Sequence, residues 1–278
     1  MRILSSLLFS ILTAGGLFWA WINFPEARNM VLNMFNSGKF QTLEVRYTSD
    51  AIMENNKQEL LLDEEHSFLE PKLHFLPYLL MEVKYNRSHD KTGEGILLWS
   101  LVDGEMVINT RTWETTHGFT DCIAANADRE DFKVINALAA HGGAMDRESL
   151  SRYLNVENNM LDKWLDKCKI KSLIVQTGNA FRLHMQNPKM QVIPETKLNQ
   201  WLVSKTAKNA TRLAKRFRSS QIEGIACSAF GHDFTVRKTK EIFLPVYSIV
   251  IQNPDGSQMT TFWNALNGKK LPAAFHLE

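Results

Sequence analysis

The chain of 278 residues lacks every motif from which a known type of enzyme could be named. Its three cysteines, Cys122, Cys168 and Cys227, lie far apart and form no CxxC pair. Their number and spacing exclude a disulfide scaffold and a zinc ribbon. No HExxH, GxSxG or Walker loop occurs, because the Gly-Lys pair at residues 38–39 has no glycine at the required upstream position. We therefore predict no cofactor, no metal ion and no catalytic residue.

Charge is absent near the N-terminus, where residues 3–25 carry none. At about 1.5 Å per residue this stretch matches the ~30 Å core of a bilayer. Trp19 and Trp21 near its end are placed like interfacial aromatics. A cleaved signal peptide is the alternative, but small-residue cleavage sites are poor. The pattern predicts that residues 1–25 form an uncleaved signal-anchor and that the protein crosses the membrane once. The short N-terminal tail favours a soluble part exported to the bacterial envelope over one in the cytoplasm.

Two parts of the chain repeat one pattern, in which Phe-Leu-Pro opens a strand and a tryptophan precedes a turn glycine by five residues. Residues 75–77 lead to Trp99 and residues 243–245 lead to Trp263, with a helix expected before each strand. The shared order predicts an internal duplication, with α+β units over 26–127 and 219–278. The two tryptophans are interpreted as core residues of their sheets.

A helix followed by an antiparallel meander resembles the PepSY-type α+β domains of bacterial envelope proteins. The resemblance rests on the pattern of residues 75–108 and 243–266, covering about half the chain in two pieces. Such domains often occur in pairs and bind or restrain other proteins, and the resemblance implies the same role for these two units.

Residues 128–195 follow a different pattern, with three helices and a hairpin. Apolar residues at helical spacing start at Phe132, and Asp146 can cap a second helix. The third predicted helix, 157–168, places five residues inward: Met160, Leu161, Trp164, Leu165 and Cys168. A hairpin is predicted at 173–183. This order resembles the winged helix-turn-helix family over about 131–184, in which the third helix reads the major groove and the hairpin touches the backbone.

The resemblance implies a contact face on the third helix. Its members would be Asn158, Asn159, Asp162, Lys163, Asp166 and Lys167. Residues 128–195 contain ten Lys and Arg and nine Asp and Glu, whereas a DNA reader normally presents excess positive charge. We therefore prefer a protein partner for this face, with DNA as the alternative.

A basic segment, 196–218, contains no acidic residue and is predicted to form an amphipathic helix or linker. Together with the wing region it could contact nucleic acid or anionic lipid, or be only a solvated linker. The candidate contacts are Lys169, Lys171, Arg182, Lys205, Lys208, Arg212, Lys215 and Arg216.

These patterns together predict an α+β fold with a transmembrane helix and two duplicated units around a winged-helix domain. The first functional hypothesis is a membrane-tethered, non-enzymatic adaptor that binds a protein partner. The alternative is a membrane-anchored DNA-binding transcriptional regulator. A third is an envelope enzyme whose site gathers His232 or other titratable groups.

Overall fold

The computed structural model describes residues 39–272, apart from residues 62, 64, 88–90 and 207–209. It divides into a larger unit, residues 41–203 and 211–278, and a smaller unit, residues 1–40 and 204–210.

The helices and strands are numbered separately, each in chain order. The helices are α1 (Ser49–Asn55), α2 (Lys57–Leu60), α3 (Phe119–Ala124), α4 (Arg129–Ala140), α5 (Arg147–Leu154), α6 (Asn158–Ile170) and α7 (Ser219–Phe230). The strands are β1 (Lys39–Leu43), β2 (Ser67–Phe68), β3 (Lys72–Arg87), β4 (Lys91–Ser100), β5 (Met106–Asn109), β6 (Glu114–Thr115), β7 (Ala144–Asp146), β8 (Ile174–Thr177), β9 (Ala180–Leu183), β10 (Leu202–Thr206), β11 (Thr211–Arg212), β12 (Thr235–Gln252) and β13 (Gln258–Asn264).

Two long antiparallel strands, β3 and β12, form the centre of one mixed sheet. From β3 the sheet continues through β4, β5 and β6. On its other side, β12 pairs with β13 and, in parallel, with the short strand β1. The short strand β11 pairs in parallel with β3. The sheet therefore contains strands from both predicted α+β units.

The expectation of two duplicated units, each with its own sheet, around a winged-helix domain is wrong. The two Phe-Leu-Pro stretches pair with each other, so that Phe243 lies opposite Pro77. Each preceding helix packs on the strands of the other predicted unit. Ile52 of α1 packs in a cluster with Trp263, whereas Ile222 of α7 packs in the cluster that holds Trp99. The order of elements in the sequence suggested a separate sheet and core for each unit. In the structure the long strands β3 and β12 pair with each other, so both units belong to one sheet.

The two faces of the sheet bury separate apolar clusters. On one face, Met81 and Trp99 share a cluster with α7 and with the helices α4 and α6. On the other face, Tyr78 and Leu244 pack with Leu198 and Leu213. Trp99 and Trp263 are buried, which confirms their interpretation as core residues. Residues 129–183 therefore share a core with the sheet instead of standing apart.

The expected transmembrane helix needs correction. Across the described ranges between residues 39 and 272, no helix combines the length and apolar character that a bilayer crossing requires. The predicted anchor, residues 1–25, lies outside the described part. The expectation of a single-pass membrane protein exported to the envelope needs the same correction.

The predicted basic helix over 196–218 is also wrong, since the described residues of this segment include strands β10 and β11 and no helix. Leu213 N–H donates to the carbonyl of Phe75, and Phe217 N–H donates to that of Leu101. Leu213 and Phe217 enter the clusters on opposite faces of the sheet. Pairing with the sheet edge thus overrides the local helical preference.

Candidate interaction surface on helix α6

Helices α4, α5 and α6 are each positioned by local capping or turn geometry. Asp128 and Asp131 form a reciprocal capping box at the start of α4. Asp146 accepts from the Ser149 N–H at the start of α5. Asn155 takes a left-handed conformation, φ 51°, where α5 ends and the chain turns toward α6. Strands β7, β9 and β8 form a three-stranded antiparallel sheet beside these helices.

One side of α6 is buried and the other forms the predicted contact face. Leu161, Leu165 and Cys168 are buried, and Trp164 is 7% exposed. Asn158, Asn159, Lys163 and Asp166 are exposed, whereas Asp162 and Lys167 are half-buried. Met160 was expected to point inward but is 50% exposed. Met160 lies one turn before Trp164 on α6, so the outward face has an apolar centre.

Asp162 is held by a charge-assisted pair with α5. Arg147 donates from Nε and Nη2 to the two carboxylate oxygens of Asp162, both at 2.6 Å. The hydrogen bond from Arg147 lowers the pKa of Asp162 below its ordinary value. This two-pronged contact fixes α6 against α5 and neutralises the Asp162 charge.

Lys167 is neutralised by two carboxylates at the start of α4. Its Nζ forms an ion pair with Asp128 and lies 3.1 Å from Glu130 Oε2. Burial alone would raise the pKa of Asp128, but hydrogen bonds from Lys167 and the Asp131 N–H, with the charges of Lys171 and Lys167, lower it to about 2. In return, the Asp128 side chain raises the pKa of Lys167. Lys167 is therefore satisfied within the protein.

The two lysines that follow are paired as well. Lys169 Nζ lies 2.8 Å from Asp166, one turn back on α6. Lys171 Nζ lies 2.5 Å from Asp131, which is fully buried, and also donates to the Asn126 carbonyl at 2.9 Å. A carboxylate with no exposed surface needs such a partner, because an unpaired buried charge is costly. Lys171 is thus a structural cation that holds α6 to α4.

The remaining candidates for nucleic acid or lipid contact lie on different elements. Arg182 is exposed on β9. Lys215 forms an ion pair with Glu241, whereas Arg212 and Arg216 lie over the rings of Phe243 and Phe217. Lys205 belongs to the smaller unit, and Lys208 lies outside the described residues.

An open groove of about 420 Å³ runs along the exposed side of α6. Trp164 and Met160 provide its apolar surface, and Lys133 of α4 places its ammonium group 5.0 Å from the Trp164 ring centre. The lining residues are Glu130, Glu157, Asn159, Met160, Lys163, Trp164 and Lys167. Lys163 has no ion pair among the residues that the structure describes. The groove therefore combines an apolar centre with a mixed-charge rim.

Sequence reasoning missed several partners of this face, among them Arg147 and Glu130. These residues belong to other helices, so the helical i,i+3 and i,i+4 spacings could not reveal them. The nearly equal numbers of basic and acidic residues in 128–195 indicated only that the cations of this region could be offset.

Other polar clusters have structural roles. Glu105 is buried, and its carboxylate accepts from the N–H groups of Gly118 and Thr120 and from the hydroxyls of Thr116 and Thr120. Arg129 Nη1 lies 2.7 Å from His232 Nδ1, and both side chains lie at the surface. Within the described ranges, no group of three or more His, Cys, Asp or Glu is arranged to hold a metal ion.

Comparison with protein-family models gives no match. Comparisons with curated proteins and with solved structures give none either. The resemblances to winged-helix and PepSY-type domains therefore stay predictions, and the function has to be argued from the surface itself.

Proposed function

We propose that the protein is a non-enzymatic binding module that holds a protein partner on the α6 face. The observation that carries this proposal is the internal pairing of Lys167, Lys169 and Lys171. Because each lysine already has a carboxylate partner, the face offers little net positive charge. Protein surfaces tolerate such a mixed rim around an apolar centre.

A DNA-binding regulator would need the opposite balance. Duplex binding depends on cations that release counterions from phosphates. At the α6 face those cations would first have to leave Asp128, Glu130, Asp131 and Asp166, and Lys171 could not leave without stranding the buried Asp131. The arrangement of three helices and a three-stranded sheet leaves DNA binding as the alternative function, which is tested separately.

The exposed apolar centre supports a partner contact at Met160. A methionine side chain adapts to irregular partner surfaces, and it lies beside Trp164, whose exposed edge faces the groove. Lys163, which has no ion pair with any residue that the structure describes, adds a cation that a partner carboxylate can meet. The partner is therefore expected to present an apolar side chain flanked by an acidic residue.

The test is quantitative capture of partners from the native cells with the full chain and three variants. Met160→Asp and Lys163→Glu alter the centre and the free cation of the α6 face. Met259→Asp is the matched control, because Met259 on β13 is similarly exposed, at 45% against 50% for Met160. We expect one protein to be lost with both α6 variants and retained with the control.

A DNA-binding measurement decides between the protein-binding module and the DNA-binding regulator. Fluorescence anisotropy with a mixed-sequence duplex at low salt should show no binding that depends on Lys163, Lys169 or Arg182. Salt-dependent binding that weakens when these residues are neutralised would replace the protein-binding proposal with the regulator. If every captured protein stays bound to the α6 variants, the proposal fails.

A further inference from the structure

Three sulfur-bearing side chains meet beneath helix α3. Cys122 of α3 is fully buried, and its Sγ lies 3.9 Å from Sδ of Met190. Met185 and Met190 are 8% and 6% exposed, and both come from the segment that follows β9. The chain thus brings one thiol and two thioethers into the same buried site from distant positions in the sequence.

Gly118 shows how closely the two thioethers approach the same point. A Cβ atom at Gly118 would lie 2.9 Å from Met185 Sδ and 3.2 Å from Met190 Sδ. Its φ of +113° also disfavours any side chain. The sulfurs therefore occupy space that is open only because this residue is glycine.

The distance between the sulfurs of Cys122 and Met190 fits two ligands of a single soft ion. Three sulfurs arranged trigonally at the ~2.3 Å of a metal–thiolate bond lie about 4 Å from one another. The Cys122 to Met190 distance of 3.9 Å already equals that separation. Thiolate and thioether ligands together select copper(I), whereas carboxylate and carbonyl ligands suit harder ions.

The charge of the site favours a monovalent cation. A copper(I) thiolate with two neutral thioethers has no net charge, whereas a divalent ion would leave one positive charge in an apolar core.

An open groove reaches one of the three side chains, Met190. Its volume is about 430 Å³, and Met190, Phe119, Phe132 and Phe230 contribute to its lining. An ion carried by an exchanging ligand can therefore reach Met190 without unfolding of the core.

We propose that Cys122, Met185 and Met190 form a copper(I) site. On binding, the Cys122 thiol releases its proton to solvent and its sulfur forms a bond to the ion, while each thioether donates a lone pair. Copper stays in the +1 state throughout, so no oxidant or reductant takes part. This proposal is independent of the partner contact on α6.

The test uses the full chain and anaerobic copper(I) in competition with a chromophoric chelator. We expect one ion per chain held by these residues. Met185→Leu and Met190→Leu should each weaken its affinity by about tenfold or more, and Cys122→Ala by more still. Leucine nearly conserves the volume of methionine, so the fold should survive. X-ray absorption should show sulfur ligands at about 2.3 Å.

Met106→Leu is the matched control, because Met106 is fully buried in the same apolar cluster but is not one of the three proposed ligands. It should bind copper(I) like the unaltered chain. Circular dichroism confirms that each variant folds. The proposal is overturned if no ion binds, or if the three site variants, folded, bind copper(I) as tightly as the Met106→Leu control.

Discussion

Leu76 of β3 and Leu244 of β12 lie directly opposite each other at the centre of the sheet. Both are the middle residue of a Phe-Leu-Pro stretch, and both are buried in the same apolar cluster. From this pair the two strands run in opposite directions, each toward the helix and hairpin of the other half of the chain. The pair therefore joins the parts that the sequence pattern had suggested as separate units.

Truncation of this pair tests whether the two halves fold as one. Leu76→Ala and Leu244→Ala should each lower the free energy of unfolding by about 2–5 kcal/mol, because each leaves a cavity at the shared centre. Urea denaturation followed by tryptophan fluorescence should show a single transition in all variants. The double variant should deviate from additivity by roughly 0.5–3 kcal/mol, as residues in contact do. Two separate transitions, or strict additivity, would mean that the halves are independent.

Local patterns in the sequence predicted individual elements better than their assembly. The long strands around residues 75–85 and 243–251 and the burial of Trp99 follow from alternation and aromatic content. The pairing of residues 75–77 with 243–245 does not, since no local rule links positions so far apart. Residues 211–217 show the same limit, because an apolar spacing typical of a helix was satisfied by a sheet edge instead.

The contact face of α6 was predicted by position but not by chemistry. The exposure of Lys163 and Asp166 follows from the helical period. The outward direction of Met160 does not, because an apolar residue next to Leu161 is normally assigned to the core. The partners of Lys167 and Lys171 depend on how α4 crosses α6, which only tertiary packing determines.

The ion pairs of Asp128 should make stability depend on pH. Its pKa is lowered to about 2 from an ordinary 3.8, so its contribution is present above about pH 4 and is lost as the pH falls through 2. Asp128→Asn keeps a side-chain oxygen for the helix cap but removes the charge. Because the side chain is 44% exposed, we expect a loss of only about 0.5–1 kcal/mol at pH 6.

Urea denaturation at pH 6, 4 and 3 measures this dependence. The difference between the unaltered chain and Asp128→Asn should shrink as the pH falls. Asp166→Asn is the control, since Asp166 is 66% exposed and pairs only with Lys169 one turn away. A gap that grows toward acid pH would contradict the assigned pKa direction.

Gly118 should be among the least replaceable glycines. Gly118→Ala forces a Cβ against the Met185 and Met190 sulfurs at a left-handed φ, so we expect a loss of about 2 kcal/mol or more. Gly178→Ala is the matched control, because Gly178 has φ +62° but open space around it. Its loss should be about 1 kcal/mol, from backbone strain alone. Thermal denaturation compares the two, and equal losses would show that the sulfur contact contributes nothing.

Neutralising the paired lysines should affect stability before it affects any ligand. Lys171→Met strands the buried carboxylate of Asp131 and is expected to cost about 3 kcal/mol or more. Lys169→Met breaks only an exposed pair and should cost less than about 1 kcal/mol. Chemical denaturation distinguishes them. A Lys171→Met variant as stable as Lys169→Met would mean that Lys171 is free to meet an external anion, as a DNA reader requires.

The most direct measurement places a photo-reactive amino acid at position 160 in the native cells and identifies what becomes attached. We expect a discrete protein adduct from position 160 and none from the control position 259. That adduct should disappear when Lys163→Glu is added. Attachment to nucleic acid from position 160, or the same protein adducts from both positions, would contradict the assignment of the α6 face as a protein-binding surface.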